Sequence, residues 1–318
     1  MERVPPTMPE APQCREGAGG STVSVVVLAY GRHSILREVI DSILQQSGVT
    51  VELIIVLNGP DSELEQILRG YPSLRVVRNA ENLGFPAGMN SGICIASADY
   101  VYAAGNDLVL APGYLALLVQ ELEVAETAVG FCCGLWCDYQ TREIENAGAR
   151  LNWGWRFHTT PLRQPLQESR SYPVDWILGA CMLGRRQTWW RLGGFREDFF
   201  LNYEDIDLCL RARALGLVIQ VTPGARCYHH AHPRTNANPF VEWHKLKNYF
   251  SVAVRFAPPA SAVVLVLKYY CCTAVQVAWR LHQPTFMARS WVWATLHLAP
   301  LIWERLRGNR MPPHQGIT

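Results

Sequence analysis

The chain has 318 residues, 49% of them hydrophobic and 18% charged, with a formal net charge of +2. These values exclude an intrinsically disordered protein and allow one large domain or two smaller ones. The ten cysteines do not show the paired CxxC spacing of a zinc site, so we expect reduced thiols in a cytosolic protein.

The first 20 residues are rich in Pro and Gly and contain no long apolar run. They lack the apolar region of a secretory signal and are predicted to be a flexible leader, 1–20, without a fixed structure. We expect the folded part to begin at about residue 21.

The next segment alternates between strand and helix patterns. Val23–Ala29 is a continuous apolar, β-branched run that predicts a buried strand, and a helical pattern follows it. Further strands are predicted at Val51–Leu57, Leu74–Val77 and Tyr100–Ala104, with helices between them. This alternation predicts an α/β fold with a mostly parallel sheet between helices, whose ligand site lies beyond the carboxyl ends of the strands.

The second half of the sheet is predicted from longer-range patterns. Strands are expected at Ala128–Leu135 and Trp176–Leu183, and the aromatic stretch between them is interpreted as part of an acceptor-side subdomain. A helix over Tyr203–Leu215 ends at a glycine and precedes a strand over Val218–Thr222. We expect the compact domain, 21–232, to close just after that strand.

Asp107 follows the predicted strand Tyr100–Ala104 and would project from its end into the ligand crevice. A carboxylate there could hold a divalent cation on a diphosphate. An aspartate that only caps a turn is the alternative reading, and an isolated Asn-Asp pair taken alone favours it.

Three carboxylates crowd the beginning of the predicted helix, at Glu204, Asp205 and Asp207. The helix dipole tolerates negative charge at this end, so the three acids could serve only to stabilise the helix. Asp205 is nevertheless the best candidate for a general base, because the aromatic residues around it would exclude water.

Three imidazoles follow the last predicted strand, at His229, His230 and His232. An imidazole together with carboxylates makes a mixed site that manganese accepts, and magnesium less readily. Polar surface histidines are the alternative.

Four blocks in this order resemble glycosyltransferase family 2, and within it the rhamnosyltransferase-like branch that acts on bacterial cell-surface glycans. The resemblance covers residues 22–232 and implies the GT-A fold of nucleotide-diphospho-sugar transferases and an inverting transfer to a glycan or polyprenyl-linked acceptor. The blocks are VSVVVLAYGR with VELIIVLNG, NAENLGFPAGMNSGICIASADYVYAAGNDLVL, VDWILGACML, and GGFREDFFLNYEDIDLCLRARALG.

Roles for single residues follow from the same resemblance. It implies that Asp205 and Glu204 form the catalytic pair, with Asp205 as the base, and that Mn²⁺ or Mg²⁺ binds between Asp107 and His229. The implied donor-binding residues are Ala29, Tyr30, Arg32, Asn58, Asn82, Gly84, Asn90, Asn106 and Asp107. The implied acceptor-binding residues are Trp176, Gly179, Ala180 and Tyr203.

The sequence departs from the family pattern in two ways. Leu57 stands where the family usually has an aspartate, and Gly105 and Asn106 leave Asp107 as the one acid of the metal motif. They motivate the alternative of a scaffold that binds a glycan or nucleotide sugar without turnover. A nicotinamide dehydrogenase is disfavoured, because no GxGxxG follows the first strand.

The remainder, 233–318, is predicted to be a basic, apolar helical extension. It carries ten Lys and Arg residues against two acidic ones, spaced among aliphatic and aromatic residues, which favours an anionic membrane surface over nucleic acid. We expect a peripheral protein on the inner face of the plasma membrane. A helix that spans the membrane is a competing prediction. It is disfavoured because polar residues recur at every fourth position from Lys268 to Arg280. Packing against the main domain, or against a second copy in a homodimer, is the third alternative.

Overall fold

The computed structural model describes residues 21–31, 33–124, 128–153, 157–230, 238–273, 275–276, 279 and 284–308. The expectations for the leader 1–20, for Arg32, for His232 and for Arg280 lie outside these residues.

A sheet of ten strands forms the centre of the molecule. Strand β1 (Thr22–Ala29) pairs in parallel with β2 (Thr50–Asn58) and with β4 (Tyr100–Gly105), and β3 (Arg75–Asn79) extends this half beyond β2. Nearly every residue of β1 is buried, as the apolar run predicted for a strand covered on both faces.

The other half of the sheet is mixed. Strand β11 (Cys181–Arg185) runs antiparallel to β4 and to β6 (Val129–Asp138), and β6 pairs in parallel with β12 (Val218–His229). The shorter strands are β5 (Leu108–Leu110), β7 (Ile144–Asn146) and β10 (Tyr172–Val174) in the same sheet, and β8 (Ala149–Asn152) and β9 (His158–Pro161) in a separate hairpin.

The strand predicted over Trp176–Leu183 is shorter than expected. It begins only at Cys181, because Gly179 and Ala180 form a turn and Trp176 makes a single isolated bridge to Ala149. An apolar run alone does not reveal where such a turn interrupts it.

Helices cover both faces of the sheet, and their ends follow local sequence signals. Asp61 caps the second helix, since its side chain accepts from the backbone N–H groups of Glu63 and Leu64. The helices of this part are α1 (His33–Leu44), α2 (Ser62–Leu68), α3 (Gly84–Ile93), α4 (Tyr114–Val124), α5 (Arg186–Leu192) and α6 (Glu204–Ala214).

The C-terminal segment is helical, as the sequence predicts. It forms α7 (Pro239–Phe256), α8 (Pro259–Lys268), a π-helical turn (Tyr269–Thr273) and α9 (Pro284–Leu306). Val252, Ala253, Ala257 and Leu265 belong to the same hydrophobic core as the sheet, while a second apolar cluster joins α7 to α9. The first of these helices is therefore built into the main body of the protein.

A buried network of ion pairs also links the C-terminal segment to α6. Asp207 is fully buried and pairs with Arg211 of its own helix, at 2.7 Å, and with Arg255 of α7. Burial raises the pKa of Asp207, but the charges of Arg255 and Arg211 more than offset it and hold the pKa at about 2. Glu304 of α9 continues the network with ion pairs to Arg255, at 3.0 Å, and to Arg196, at 2.7 Å.

Among the helices that the structure describes, none combines the length and the hydropathy that crossing a bilayer requires.

Candidate active site

The carboxyl ends of β4 and β12 bring Asp107 and His229 together. Strand β5, which follows Asp107 directly, pairs with the end of β12, and the backbone N–H of His230 donates to the Asp107 carbonyl at 3.0 Å. As a result, Asp107 Oδ2 and His229 Nε2 lie 3.5 Å apart. The two residues predicted to share a metal ion are therefore adjacent.

His230 takes a different direction from His229. Its ring stacks on Tyr139 with centroids 3.7 Å apart, and its Nε2 lies 3.2 Å from the Glu38 carboxylate. Of the two histidines that the structure describes here, His229 is thus the one paired with Asp107.

Two residues that the sequence reasoning missed hold the His229 ring in place. Glu145 Oε2 lies 3.1 Å from His229 Nδ1, and the indole N–H of Trp136 donates to the same oxygen at 3.2 Å. In the neutral ring whose Nδ1–H donates to Glu145, Nε2 faces Asp107 and is the nitrogen that would bind a metal. Burial lowers the pKa of His229, but its contacts with Asp107 and Glu145 more than offset this and raise it.

The pair fits a divalent cation that is shared with a phosphate ligand. One carboxylate oxygen and one imidazole nitrogen 3.5 Å apart match two neighbouring ligands with bonds of about 2.0–2.2 Å. In the part of the chain that the structure describes, no group of three or more His, Cys, Asp or Glu side chains could hold an ion by itself. Mn²⁺ or Mg²⁺ would need its other ligands from substrate phosphates and water, which is how Mg²⁺ is commonly bound.

Asp205 lies in the first turn of α6, where two backbone N–H groups donate to its carboxylate. Gly179 donates to its Oδ2 at 3.3 Å, and Ile206 donates to its Oδ1 at 2.8 Å. Burial raises the pKa of Asp205 to about 6, although these hydrogen bonds lower it in part. Asp205 is therefore ionised at neutral pH and basic enough to accept a proton.

Glu204 beside it has a different environment. It is 8% exposed, and its Oε2 has no hydrogen-bond partner among the residues that the structure describes. Burial, followed by the charges of Asp205 and Asp207, raises the pKa of Glu204 well above its usual range. The two neighbouring carboxyl groups thus separate into a protonated Glu204 and an ionised Asp205.

The turn Gly179–Ala180 connects the Asp205 site to the Asp107 site. The N–H of Gly105, two residues before Asp107, donates to the Ala180 carbonyl at 2.9 Å, while Gly179 contacts Asp205. A Cβ atom at position 179 would lie 3.2 Å from the Asp205 Cβ, so a glycine there allows the close approach. Both candidate sites therefore border the same end of the sheet.

A cavity of about 470 Å³ opens beside the two carboxyl groups. Trp176 and Tyr203, both predicted on the acceptor side, line it, and Tyr203 adopts the left-handed conformation at φ 71°. Its other lining residues are Phe157, His158, Thr159, Leu178, Asn202, Ile206 and Lys245.

Asn58 makes four hydrogen bonds inside the protein. It donates to Asn82 Oδ1 at 2.9 Å and to the Gly84 carbonyl at 3.0 Å, and it accepts from the Leu83 N–H and from Asn79. These contacts fix the loop between β3 and α3 at the end of β2. The donor-binding roles of Asn58 and Asn82 remain predictions, and their observed contacts position this loop.

Asn90 and Gly84 connect α3 to the segment before α6. Asn90 exchanges hydrogen bonds with both backbone groups of Phe195, at 2.8 and 2.9 Å. Gly84 has φ 80°, and a Cβ there would collide with the Phe200 carbonyl, so this contact requires glycine. These residues hold together loops that carry residues predicted to bind the donor and the acceptor.

The loop after β1 forms the remaining predicted donor surface. Ala29 is buried at the end of β1 and Tyr30 is exposed after it. Asn106 donates to the Gly31 carbonyl at 3.1 Å, which joins this loop to the turn that carries Asp107. Leu57, where an aspartate was expected, is buried at the end of β2.

The sequence pattern of the family described as "Glycosyltransferase like family 2" matches residues 20–248. The chain is similar to the uncharacterized protein y4gI of Sinorhizobium fredii, with 28% identity over 67% of this chain and 25% of y4gI. It is also similar to N-acetylglucosaminyl-diphospho-decaprenol L-rhamnosyltransferase of Mycobacterium tuberculosis, with 26% identity over 68% of this chain and 78% of that enzyme. The matched region therefore spans a quarter of the first relative and most of the second.

Two solved structures share the architecture. GalNAc-T7 with UDP, GalNAc and Mn²⁺ matches at a TM-score of 0.62 and 18% identity, over 75% of this chain and 48% of that one. The mannosyltransferase PcManGT of Pyrobaculum calidifontis, in complex with GDP-Man and Mn²⁺, matches at a TM-score of 0.53 and 19% identity, over 94% of this chain and 83% of that one. These likenesses confirm the GT-A fold expected from the sequence.

Proposed function

The chain belongs to the glycosyltransferase-like family 2, and on that premise we propose that it is an inverting, metal-dependent hexosyltransferase. It would move a sugar from a nucleotide diphosphate to a glycan or polyprenyl-linked acceptor in cell-surface polysaccharide synthesis. The observation that carries the proposal is Asp205, a carboxylate with a pKa of about 6 beside a cavity and next to the strand end that bears Asp107.

In this mechanism Asp205 takes the proton of the acceptor hydroxyl. The hydroxyl oxygen then attacks the anomeric carbon in line with the departing diphosphate, so the anomeric configuration inverts. Gly179 and Ile206 hold Asp205 through their N–H groups, which fixes the direction of its oxygens. Phe157, Trp176 and Tyr203 form aromatic walls of the cavity beside the reacting hydroxyl.

Asp107 and His229 would hold Mn²⁺ or Mg²⁺ on the donor diphosphate, with Glu145 orienting His229. When bound, the cation supplies charge stabilisation to the leaving phosphate. The loop built around Asn58 and the loop after β1 would border the nucleotide. Uridine, thymidine and guanosine diphosphate sugars all fit this description.

The product's anomeric configuration tests the single displacement. We expect the transferred sugar to carry the configuration opposite to that of the donor, as read from the anomeric coupling constants in the NMR spectrum of the product. Retention would contradict a mechanism with one base and one in-line attack.

We further propose that the C-terminal helices lie on the cytosolic face of a membrane. Val292, Leu296, Trp303 and Leu306 are exposed along α9, each at least 56%, with a helical spacing that puts them on one side. The basic residues Arg289 and Arg307 precede and follow these apolar residues along the chain, a combination typical of helices that lie in an anionic interface.

Flotation with anionic vesicles tests this surface in the full-length protein. We expect the wild type to float, less at high salt, and the double variant Leu296→Glu/Trp303→Glu to float at least tenfold less. Val124→Glu, a change at an exposed position of α4, is the matched control and should float like the wild type. If the double variant floats normally the proposal is wrong, and if it instead turns a dimer into a monomer the surface belongs to a second copy.

A further inference from the structure

Three residues just before the candidate base hold backbone angles that side chains rarely adopt. Phe200, Asn202 and Tyr203 have φ values of 62°, 64° and 71°. Residues other than glycine are strained in this region, and they persist there only where the surrounding structure enforces the conformation. The segment that leads into Asp205 is therefore under backbone strain, which its neighbours must hold in place.

Phe200 is the centre of a strained γ-turn. The N–H of Leu201 donates to the Phe199 carbonyl at 2.7 Å, across Phe200 at φ 62° and ψ −50°. A γ-turn with positive φ is the rare and strained form of this turn. In this conformation the Phe200 carbonyl accepts from the N–H of Phe85, near the beginning of α3, at 2.7 Å. The turn therefore connects the start of α3 with the segment that leads into α6.

The side-chain amide of Asn248, in α7, binds this segment. It donates to the carbonyl groups of Phe199 at 2.9 Å, Leu201 at 2.9 Å and Asn202 at 2.8 Å. Three carbonyl oxygens around one atom require that atom to be the amide nitrogen, because an oxygen there could only be repelled. Asn248 is fully buried, so water does not compete for these hydrogen bonds. One side chain thus joins three carbonyl groups of the strained segment.

A second side chain of α7 binds the same turn. The Nδ1–H of His244 donates to the Phe199 carbonyl at 3.0 Å, and its ring stacks on the Phe200 ring with centroids 5.0 Å apart. His244 and Asn248 are four residues apart, so they lie on one face of the helix. Burial, followed by the charge of Lys247, lowers the pKa of His244, which keeps its ring neutral at neutral pH.

Asp205 depends on where this segment ends. Tyr203 precedes the first turn of α6, in which Asp205 lies. The hydrogen bond from Gly179 to Asp205 measures 3.3 Å, which is already long for an N–H···O bond, so a small shift of this turn would break it. A displacement of about 1 Å in a reacting group can lower a rate about 10²-fold.

The attachment of α7 as a whole does not depend on Asn248. Arg255, two turns further along the helix, pairs with the buried Asp207 of α6, and Val252 and Ala253 belong to the core of the sheet. Loss of the Asn248 amide should therefore relax the turn around Phe200 without detaching the helix.

From these contacts we propose that Asn248 is a positioning residue of the transfer reaction, which holds the strained turn around Phe200 and thereby keeps Asp205 in place. This rests on the proposed function, because Asn248 acts through Asp205. His244 supports the same turn. The C-terminal segment thus contributes to the geometry of the active site.

The variant Asn248→Leu of the full-length protein tests this role. Leucine has the same branched shape as asparagine but cannot donate a hydrogen bond. With membrane glycolipids as the acceptor preparation, we expect the rate of sugar transfer to fall about 10²-fold. Mn²⁺ binding in the presence of donor should stay unchanged, because β5 and β12 hold Asp107 and His229.

The pH profile of transfer separates positioning from a loss of folded protein. Burial raises the pKa of Asp205 to about 6, and backbone hydrogen bonds, that of Gly179 among them, keep it from rising further. A displaced Asp205 loses the Gly179 bond, so the acid limb of the profile should move to higher pH. Partial unfolding would scale the profile without moving it. The other titratable groups around Asp205 are the same in both proteins: Glu204, Tyr203, Cys181, Cys209, His158 and Lys245.

Two variants in α7 are the matched controls. Ser251→Ala removes a buried hydroxyl one turn further along the helix and should keep the rate and the acid limb of the wild type. Leu246→Ala opens a buried apolar position away from the turn, so it should lower the melting temperature and leave the acid limb in place. An acid limb that moves equally in Leu246→Ala and Asn248→Leu would overturn the role of the amide.

A milder variant tests the same turn if Asn248→Leu does not fold. His244→Phe keeps a ring beside Phe200 and removes one donor to the Phe199 carbonyl. We expect a loss of about tenfold in rate, the usual scale of one hydrogen bond, and a shift of the acid limb in the same direction. Wild-type values of both would contradict a turn held by α7.

Hydrogen–deuterium exchange reports on the turn without any reaction. The N–H groups of Leu201 and Phe85 should exchange about tenfold faster in Asn248→Leu than in the wild type, and at the wild-type rate in Ser251→Ala. Unchanged exchange in Asn248→Leu overturns the inference whatever the reaction is, as does an unchanged rate of transfer. A wild type that releases no nucleotide from any donor overturns the proposed function on its own.

Discussion

Replacing Asp205 by asparagine is expected to lower sugar transfer by about 10²–10⁴-fold, the usual contribution of a general base, and to leave donor affinity unchanged. Asparagine keeps the shape and the acceptor oxygen toward Gly179 but cannot take a proton. Steady-state transfer rates and calorimetric titration of the donor measure the two effects separately. Lost donor affinity with an unchanged rate would contradict the assignment.

The pH dependence of transfer follows from the same residue. Burial raises the pKa of Asp205 to about 6, and the base works in its deprotonated form. The rate should therefore be high above pH 6 and fall about tenfold per pH unit below it. Glu204→Gln is the matched control, because Glu204 is already protonated at neutral pH, and this variant should keep most of the activity and the same pH profile.

Replacing Asp107 by alanine is expected to lower the rate of sugar transfer nearly as much as Asp205→Asn does. A metal ion contributes several kcal/mol to stabilising a leaving phosphate, which corresponds to a loss of about 10³-fold or more in rate. Mn²⁺ binding measured by electron paramagnetic resonance should weaken in parallel, with the donor present. Activity that persists in excess chelator would contradict the metal site.

Two further variants test whether the effect belongs to this site. Asp99→Ala removes an exposed carboxylate near the opposite end of β4 and should leave Mn²⁺ binding unchanged. Glu145→Gln, which alters the hydrogen bond to His229, should weaken Mn²⁺ binding by about 10–100-fold. An Mn²⁺ affinity in Glu145→Gln equal to that of the wild type would exclude Glu145 from orienting the ligand.

The parts of the fold that were predicted well are those with strong local signals. Val23–Ala29 and Val51–Leu57 are apolar, β-branched runs, and each lies inside a buried strand because the sheet is covered on both faces. The strand predicted to begin at Trp176 was wrong over the turn Gly179–Ala180. In this turn Gly179 donates to Asp205 and Ala180 accepts from Gly105, and no local pattern shows these contacts between distant residues.

The candidate site depended more on contacts between distant residues. Asp107 was found because it follows a recognisable strand, and Asp205 because it lies at the beginning of a recognisable helix, but Glu145 and Trp136 lie in a stretch without periodicity. Lys245 reaches the cavity beside Asp205 only because α7 packs beside α6, which the charge of the C-terminal segment did not reveal. The position of Lys245 depends on tertiary packing, which a sequence pattern does not report.

The release of nucleotide diphosphate from a panel of donor sugars tests the central claim most directly. It is measured on the wild type and on Asp205→Asn, with Mn²⁺ and with excess chelator, and with an acceptor preparation of membrane glycolipids. We expect release from at least one donor that requires Mn²⁺, increases with acceptor and is lost in the variant. Tight binding of a nucleotide sugar by the wild type without any release would contradict the account and identify a scaffold that binds donors without transferring them.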